Sequence, residues 1–322
     1  MRLRTGCILF LLFSGFNITL CQETGYGPGY QTILINNPAF AGSQSDGILR
    51  LSYLNFYPGN NYNLHTLFVS YDTYLPLIHG GAGFFLSDDY LGGIVNELRG
   101  GFSYSYHLQA NKNTFINAGL SASFYHRGFN RGNIILPDQI DPVSGVSYPS
   151  AETIGYRGRT VLDLGVGFLV VAGKFLGGFS LSHLTSPDLS GTGNSAERLN
   201  RKLTLNISSE INAGKKKQIS IMPVLFGEIQ GDLMTAGVGG SFGSNIIALN
   251  SMLLINKAKD IDLQAGFSVR AGILQLFYNY CFNIKSENRL LPLSLLHQAG
   301  VAVVLNNVDK RKIIKTINMP KL

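Results

Sequence analysis

Tryptophan is absent from this chain of 322 residues, and cysteine occurs only three times. Two of the three, Cys7 and Cys21, fall in a leader-like N-terminus. With that leader removed only Cys281 remains, which excludes an intrachain disulfide and a cysteine metal site. Charge is scarce as well: 14% of residues are Asp, Glu, Lys or Arg, against about 25% in an ordinary soluble domain. Long apolar runs are missing. Past the leader no stretch approaches the ~18 consecutive apolar residues of a membrane helix, although the apolar fraction is an ordinary 45%. A helical membrane protein is excluded on that ground.

What the chain does have is alternation. In Asp260 to Ala271, the residues Asp260, Asp262, Gln264, Gly266, Ser268 and Arg270 point one way, and Ile261, Leu263, Ala265, Phe267, Val269 and Ala271 the other. A period of two is the strand period. Elsewhere Asn200, Lys202, Thr204, Asn206, Ser208 and Glu210 oppose Leu203, Leu205, Ile207 and Ile211, and Arg159 and Asp163 oppose Thr160, Leu162, Leu164, Val166, Phe168 and Val170. The pattern predicts about fourteen strands. They fall at 47–57, 62–73, 78–87, 93–107, 113–126, 159–173, 174–184, 199–213, 217–230, 232–242, 244–257, 260–271, 272–283 and 294–306. Such a repeated apolar face needs a second sheet or lipid to cover it.

The N-terminus favours lipid. Arg2 and Arg4 precede an apolar stretch from Cys7 to Phe16, which is too short to span a bilayer and fits a signal-peptide core. Thr19 and Cys21 offer small residues for cleavage before Gln22, and Leu20 argues against the alternative of acylation at Cys21. The connections point the same way. Numbered in order, the even ones are mostly tight, as at Gln109–Lys112, Gly173 and Gly272, whereas the odd ones include Arg127–Gly158 and Thr185–Arg198. Short turns on one rim and long loops on the other suit an outer-membrane barrel with its short turns periplasmic. Glycine (38), tyrosine (15) and phenylalanine (20) suit barrel curvature and aromatic girdles.

The organisation expected is a signal peptide over 1–21, an N-terminal segment over 22–46, an all-β transmembrane antiparallel barrel over 47–306 and a basic periplasmic tail over 307–322. The net charge of +7 resides partly in Lys215–Lys217 and Lys310–Lys315, read as a solvated turn and that tail. No stacking-aromatic module accompanies these charges, so nucleic acid is not an expected partner. A barrel of this size exceeds what wall side chains alone can fill. The N-terminal segment, rich in Gly, Asn and Pro, either folds into the lumen or trails as a periplasmic leader.

Within that segment Asn36-Asn37-Pro38-Ala39-Phe40-Ala41-Gly42 stands out. The asparagines can bond nearby backbone, Pro38 fixes its own φ and holds Asn37 extended, and the small residues permit close approach to a wall. The stretch resembles the NPA-aromatic-AG signature that opens the PorP/SprF family of the type IX secretion system. Gly177–Leu184 followed by Pro187, Gln264–Phe267, Leu276–Tyr280 and Ser294–Val301 resemble later family stretches in the same order, with Gln298 where Glu is usual. The resemblance implies a non-enzymatic outer-membrane accessory that helps a particular secreted adhesin, carrying a type IX C-terminal domain, reach or attach to the surface during gliding. Its implied partners are outer-membrane lipid, that cargo, and periplasmic motor or lipoprotein components. The alternative is a channel for a hydrophobic or small solute. Asn37, Pro38, Ala39, Phe40, Ala41 and Gly42 are the candidate site, in a structural or partner-contact role.

No catalytic, cofactor or metal site is expected. The six histidines are scattered over different strands and turns. Ser182 and His183, adjacent on one strand, should point to opposite faces, so a local Ser–His pair is not expected and His183 reads as a strand-end or interfacial residue. Gly167–Lys174 lacks the spacing and the Ser or Thr of a phosphate loop. Asp88-Asp89 and Asp138/Asp141 read as solvated carboxylates of outer loops.

Overall fold

The computed structural model describes residues 32–44, 46–58, 64–129, 139–140, 158–189, 198–213, 219–244, 246–286 and 294–306. The strands are β1 (Ile48–Phe56), β2 (Leu64–Leu75), β3 (Gly80–Leu91), β4 (Val95–Asn111), β5 (Thr114–Phe129), β6 (Arg159–Ala172), β7 (Phe175–Ser182), β8 (Lys202–Ser209), β9 (Ile211–Ala213), β10 (Ile219–Gln230), β11 (Leu233–Gly243), β12 (Ile247–Asn256), β13 (Ile261–Ala271), β14 (Leu274–Lys285) and β15 (Ser294–Val304). Neighbours pair antiparallel in chain order, and β15 closes on β1 from Ile48↔Val304 to Phe56↔Leu296. β8 and β9 are two pieces of one stave, since both pair with β10. The result is a closed barrel of 14 strands. Pro223, which has no N–H for a ladder, falls opposite Ser209, next to the break at Glu210.

The alternation sets the two faces. Arg50, Asp72, Arg99, Asn117, Asp163, Lys202, Gln264, Asn279 and Gln298 are buried towards the lumen. Their strand neighbours Leu51, Phe102, Leu162, Phe179, Leu205 and Leu253 are exposed on the outside, Phe102 by 75% and Leu162 by 76%. Polar groups inside and bare aliphatic and aromatic groups outside is the arrangement a lipid solvent imposes. Among the described residues no helix is long and apolar enough to cross a membrane; the strands do the crossing.

One rim carries tight turns, at Lys112–Asn113, Gly173–Lys174 and Gly272–Ile273, with a short 3₁₀ turn at Pro76–Ile78. Gly173 and Gly272 both have positive φ, which a two-residue turn demands. The other rim carries the connections 130–158 and 183–201, together with short turns at Gly92–Ile94 and Gly231–Asp232. On that rim β3 and β5 run further than the pattern predicts, to Leu91 and Phe129, so Asp88 and Asp89 are strand residues rather than loop carboxylates. Asp89 is buried on the inner face and accepts from Thr66, while Asp88 accepts from Asn96 at 2.6 Å. Extension of the β3–β4 hairpin past the apolar band explains the correction, because polar residues tolerate a ladder outside lipid. Asp138, Asp141, Lys215–Lys217, the leader and the basic tail lie outside the described residues.

Candidate functional site

Residues 32–44 lie inside the barrel. Ile33–Asn36 form one helical turn, Pro38–Phe40 a 3₁₀ turn, and all of them are buried. Asn37 joins the two in an extended conformation, φ −153° and ψ 113°. That conformation is the one a following proline favours. Its side chain works in both directions: Oδ1 accepts the Ala39 N–H at 2.9 Å, capping the 3₁₀ turn, and Nδ2 donates to the Phe179 carbonyl at 3.2 Å.

The inner wall supplies the remaining partners. Ser105 Oγ donates to the Ala39 carbonyl at 2.9 Å, His107 Nε2 lies 3.1 Å from the Ala41 carbonyl, and Ser180 Oγ donates to the Asn36 carbonyl. The Gly42 N–H donates to Asp72 Oδ2 at 2.9 Å. Asp72 is itself ion-paired with Arg50, and both side chains are almost fully buried. A buried pair of this kind holds geometry more than it adds stability, because desolvation offsets most of the attraction.

Close approach depends on glycines in three separate strands. A Cβ on Gly81 would meet the Ala41 carbonyl, one on Gly119 would stand 2.6 Å from Ala39 Cα, and one on Gly167 would meet the Asn37 amide. Any other residue at these sites would lift the segment from the wall.

The apolar side chains of the segment point across the lumen. Ile33, Leu34, Ile35 and Phe40 join one buried cluster with Leu54, Phe68, Phe85, Phe115, Leu169, Leu176, Phe226 and Met252. These wall residues lie on inward-facing positions of strands from β1 to β12. The lumen is therefore polar only in part. At the level of the segment it is an apolar core, and burying a side chain such as Leu34 or Phe40 contributes about 1.5–3 kcal/mol.

A second buried group sits nearer the long-loop rim. His183 Nδ1 lies 2.9 Å from Asp163 Oδ2, the Thr185 hydroxyl donates to Asp163 Oδ1 at 2.8 Å, and Tyr125 Oη is 3.5 Å from His183 Nδ1. The Arg99 guanidinium stands over the Tyr125 ring at 4.6 Å. His183 is fully buried and has φ +58°. The strand ends at Ser182, and this left-handed residue turns the chain inward. The parity argument thus fails at the kink: Ser182 and His183 are both buried, and His183 is not interfacial. Ser180 Oγ is engaged by the Asn36 carbonyl, and His183 Nδ1 faces Asp163 and Tyr125. Leu189 and Leu199 follow the turn inward and bury against Tyr125 and Val161.

On the far wall Asn250 donates to Asn279, and Asn279 to Gln298, each at 3.1 Å. Gly266 on the intervening strand leaves room for the first of these bonds. Gln298 thus serves as an uncharged acceptor inside the barrel. The other histidines are dispersed: His65 and His297 contact outward tyrosines, His126 bonds Thr160, and His79 occupies a turn. Among the described residues no group of three or more His, Cys, Asp or Glu is placed to hold a metal ion.

The candidates Asn37 to Gly42 are brought together against β2 to β7. Sequence reasoning missed Arg50, Asp72, Asp163 and Tyr125, which become partners only across strands. Counting hairpin register from the β1–β2 connection would have found the first two, since Arg50 pairs with Ser70, two residues from Asp72.

Solved structures with a similar outline include the Acinetobacter baumannii outer membrane protein Omp33, at 8% identity and TM-score 0.49, covering 82% of this chain and 99% of that one. The P. putida toluene transporter TodX matches at 12% identity and TM-score 0.49, covering 88% and 92%. The KdgM porin matches at 8% identity and TM-score 0.37, covering 80% and 98%. No curated protein matches the chain. A family profile, type IX secretion system membrane protein PorP/SprF, matches residues 26–306. The chain therefore belongs to the PorP/SprF family of type IX secretion membrane proteins, as a 14-stranded barrel of the outer membrane.

Proposed function

We propose that this barrel is a non-enzymatic accessory of type IX secretion that holds a particular secreted protein, of the adhesin type with a type IX C-terminal domain, at the cell surface. The observation that carries the reading is the filled lumen. The segment 32–44 is bonded to the wall at Asp72, Ser105, Ser180 and the Phe179 carbonyl, and an apolar cluster reaches from it to Phe226 and Met252. A barrel built to pass solute has no use for an apolar core across its bore, whereas a rigid pedestal for partners does. On this reading the rim that carries 130–158 and 183–201 is the extracellular one and holds cargo, while the short-turn rim and the basic tail meet periplasmic motor or lipoprotein components.

The test is removal of residues 130–157 in the native organism, with cargo on the cell surface as the readout. Loss of display with the barrel still folded supports the reading, and unchanged display overturns it. Removing Lys310–Leu322 should release periplasmic partners in a co-purification. Planar-bilayer recordings address the competing channel reading: a steady current from the intact protein would favour the channel over the pedestal.

A further inference from the structure

The wall of the barrel is incomplete beside β6. That strand has 14 residues, but β7 has only 8, fewer than the ~9–11 that cross the hydrocarbon layer. The β6–β7 pairing ends at Val166↔Leu181, and Arg159 to Gly165 pair with β5 alone. Beyond Ser182 the regular ladder stops. His183, at φ +58°, faces the lumen beside Asp163, Leu184 stays at the outer face, and the chain is buried again at Pro187 and Leu189.

Two contacts still reach β6 from this turn. The Leu184 N–H donates to the Leu164 carbonyl at 3.0 Å, and the Thr185 hydroxyl, whose proton goes to Asp163, lies 3.2 Å from the Leu162 carbonyl. They mark the direction of the edge. In an antiparallel strand the N–H and C=O of one residue point the same way and alternate along the chain. Residues 160, 162 and 164 therefore offer their backbone towards the missing stave. The Leu162 N–H and both backbone groups of Thr160 face no strand among the described residues. The side chains alongside are apolar and bare, Leu162 at 76% and Leu164 at 49% exposure. An apolar groove of about 600 Å³ on the same outer face runs up to Leu164 and Leu184 past Ala122 and Phe102.

We propose that the upper edge of β6 receives a β-strand added by the secreted partner. Open sheet edges are not tolerated beside lipid, since hydrocarbon satisfies no N–H or C=O. An acyl chain would cover Leu162 and leave the backbone unanswered. An extended peptide answers both, with main-chain bonds for affinity and alternate side chains for specificity. Its outward residues are apolar, to lie beside Leu162 and Leu164, and its inward ones are polar, to meet Asp163 and Arg159. This inference rests on the proposed cargo-holding function and adds to it the form in which the cargo is held.

The test places a photocrosslinking benzoylphenylalanine at Thr160 or at Leu162 of the full-length protein in native outer membranes, with the joined peptides identified by mass spectrometry. Strand addition requires that the two probes join one segment of one partner, at positions two residues apart. In addition, Leu162→Pro removes only an N–H that faces the gap, because β5 is served by the odd-numbered residues. The barrel should fold, as read by its heat-dependent gel shift, while the Thr160 crosslink falls at least tenfold. Leu162→Ala, which keeps the N–H, should retain it. Crosslinks confined to this chain's own 130–157 or 190–197, no crosslinks, or an undiminished yield in a folded Leu162→Pro barrel would each overturn the proposal. If Leu162→Pro leaves cargo display intact while removal of 130–157 abolishes it, cargo holding stands without strand addition. If display survives both changes, the cargo-holding reading is itself lost.

Discussion

Gly119→Val puts the seating of the lumenal segment to a direct test. A Cβ at position 119 would stand 2.5 Å from the Pro38 carbonyl carbon and 2.6 Å from Ala39 Cα, where ordinary contact begins at 3.4 Å. β5 is held on both sides by β4 and β6, so the wall cannot yield and the segment must move inward by about 1 Å. That shift strains the Ser105 and Asn117 bonds to the Ala39 carbonyl, now 2.9 and 3.4 Å. Overpacking costs about 1–3 kcal/mol and a weakened hydrogen bond about 0.5–1.5 kcal/mol. A net local loss of ~2–3 kcal/mol corresponds to roughly 30- to 150-fold faster opening. Amide hydrogen exchange of residues 33–42, followed by mass spectrometry on the folded barrel, reads this directly. Gly177→Val is the control: no atom lies within 4 Å of a Cβ there, so exchange should stay at the wild-type rate. Unchanged protection of residues 33–42 in a folded Gly119→Val barrel would refute the claim that the wall glycines seat the segment.

Three further outcomes follow from the same geometry. Asp72→Ala leaves the buried Arg50 without the carboxylate that pairs with it, so unfolding in denaturant should ease by about 3–5 kcal/mol, while Arg50→Met with Asp72→Leu recovers most of that. The double variant still lacks the acceptor of the Gly42 N–H, so exchange at residues 40–44 should remain fast. Asp163→Ala removes the partner of both His183 and Thr185, and the inward turn 183–189 should gain protease sensitivity without loss of the barrel's gel shift. Phe102→Arg places a charge on a side chain 75% exposed to the outside; in lipid vesicles it should cost up to about 2–4 kcal/mol, whereas a soluble sheet would accept it at little cost.

The strands were legible because side chains alternate strictly across a sheet, so a period of two in the letters is a statement about two faces in space. Loop lengths sorted by parity for an equally simple reason: consecutive antiparallel strands return to the same rim every second turn. Alternation could not foretell where strands stop. Asp88 and Asp89 read as loop because they are acidic, yet the β3–β4 hairpin carries them in regular pairing beyond the apolar band. His183 read as a residue of a continuing strand because nothing in its letter announces a left-handed turn.

Local chemistry around Asn37-Pro38 made a tight, extended-then-turned segment legible, because Pro38 constrains both itself and its predecessor within a few bonds. Its resting place was not. Gly81, Gly119 and Gly167 stand far apart in the chain, and each looks like any strand glycine. They become one seat only when β3, β5 and β6 curve around the same segment. Arg50 with Asp72, and Asp163 with His183, are likewise ordinary inner-face polar residues until register sets them side by side. Periodicity fixes which way a side chain points, since that is decided within two residues. Barrel closure decides what it meets, since that depends on residues from 20 to 144 positions apart being brought within bonding distance.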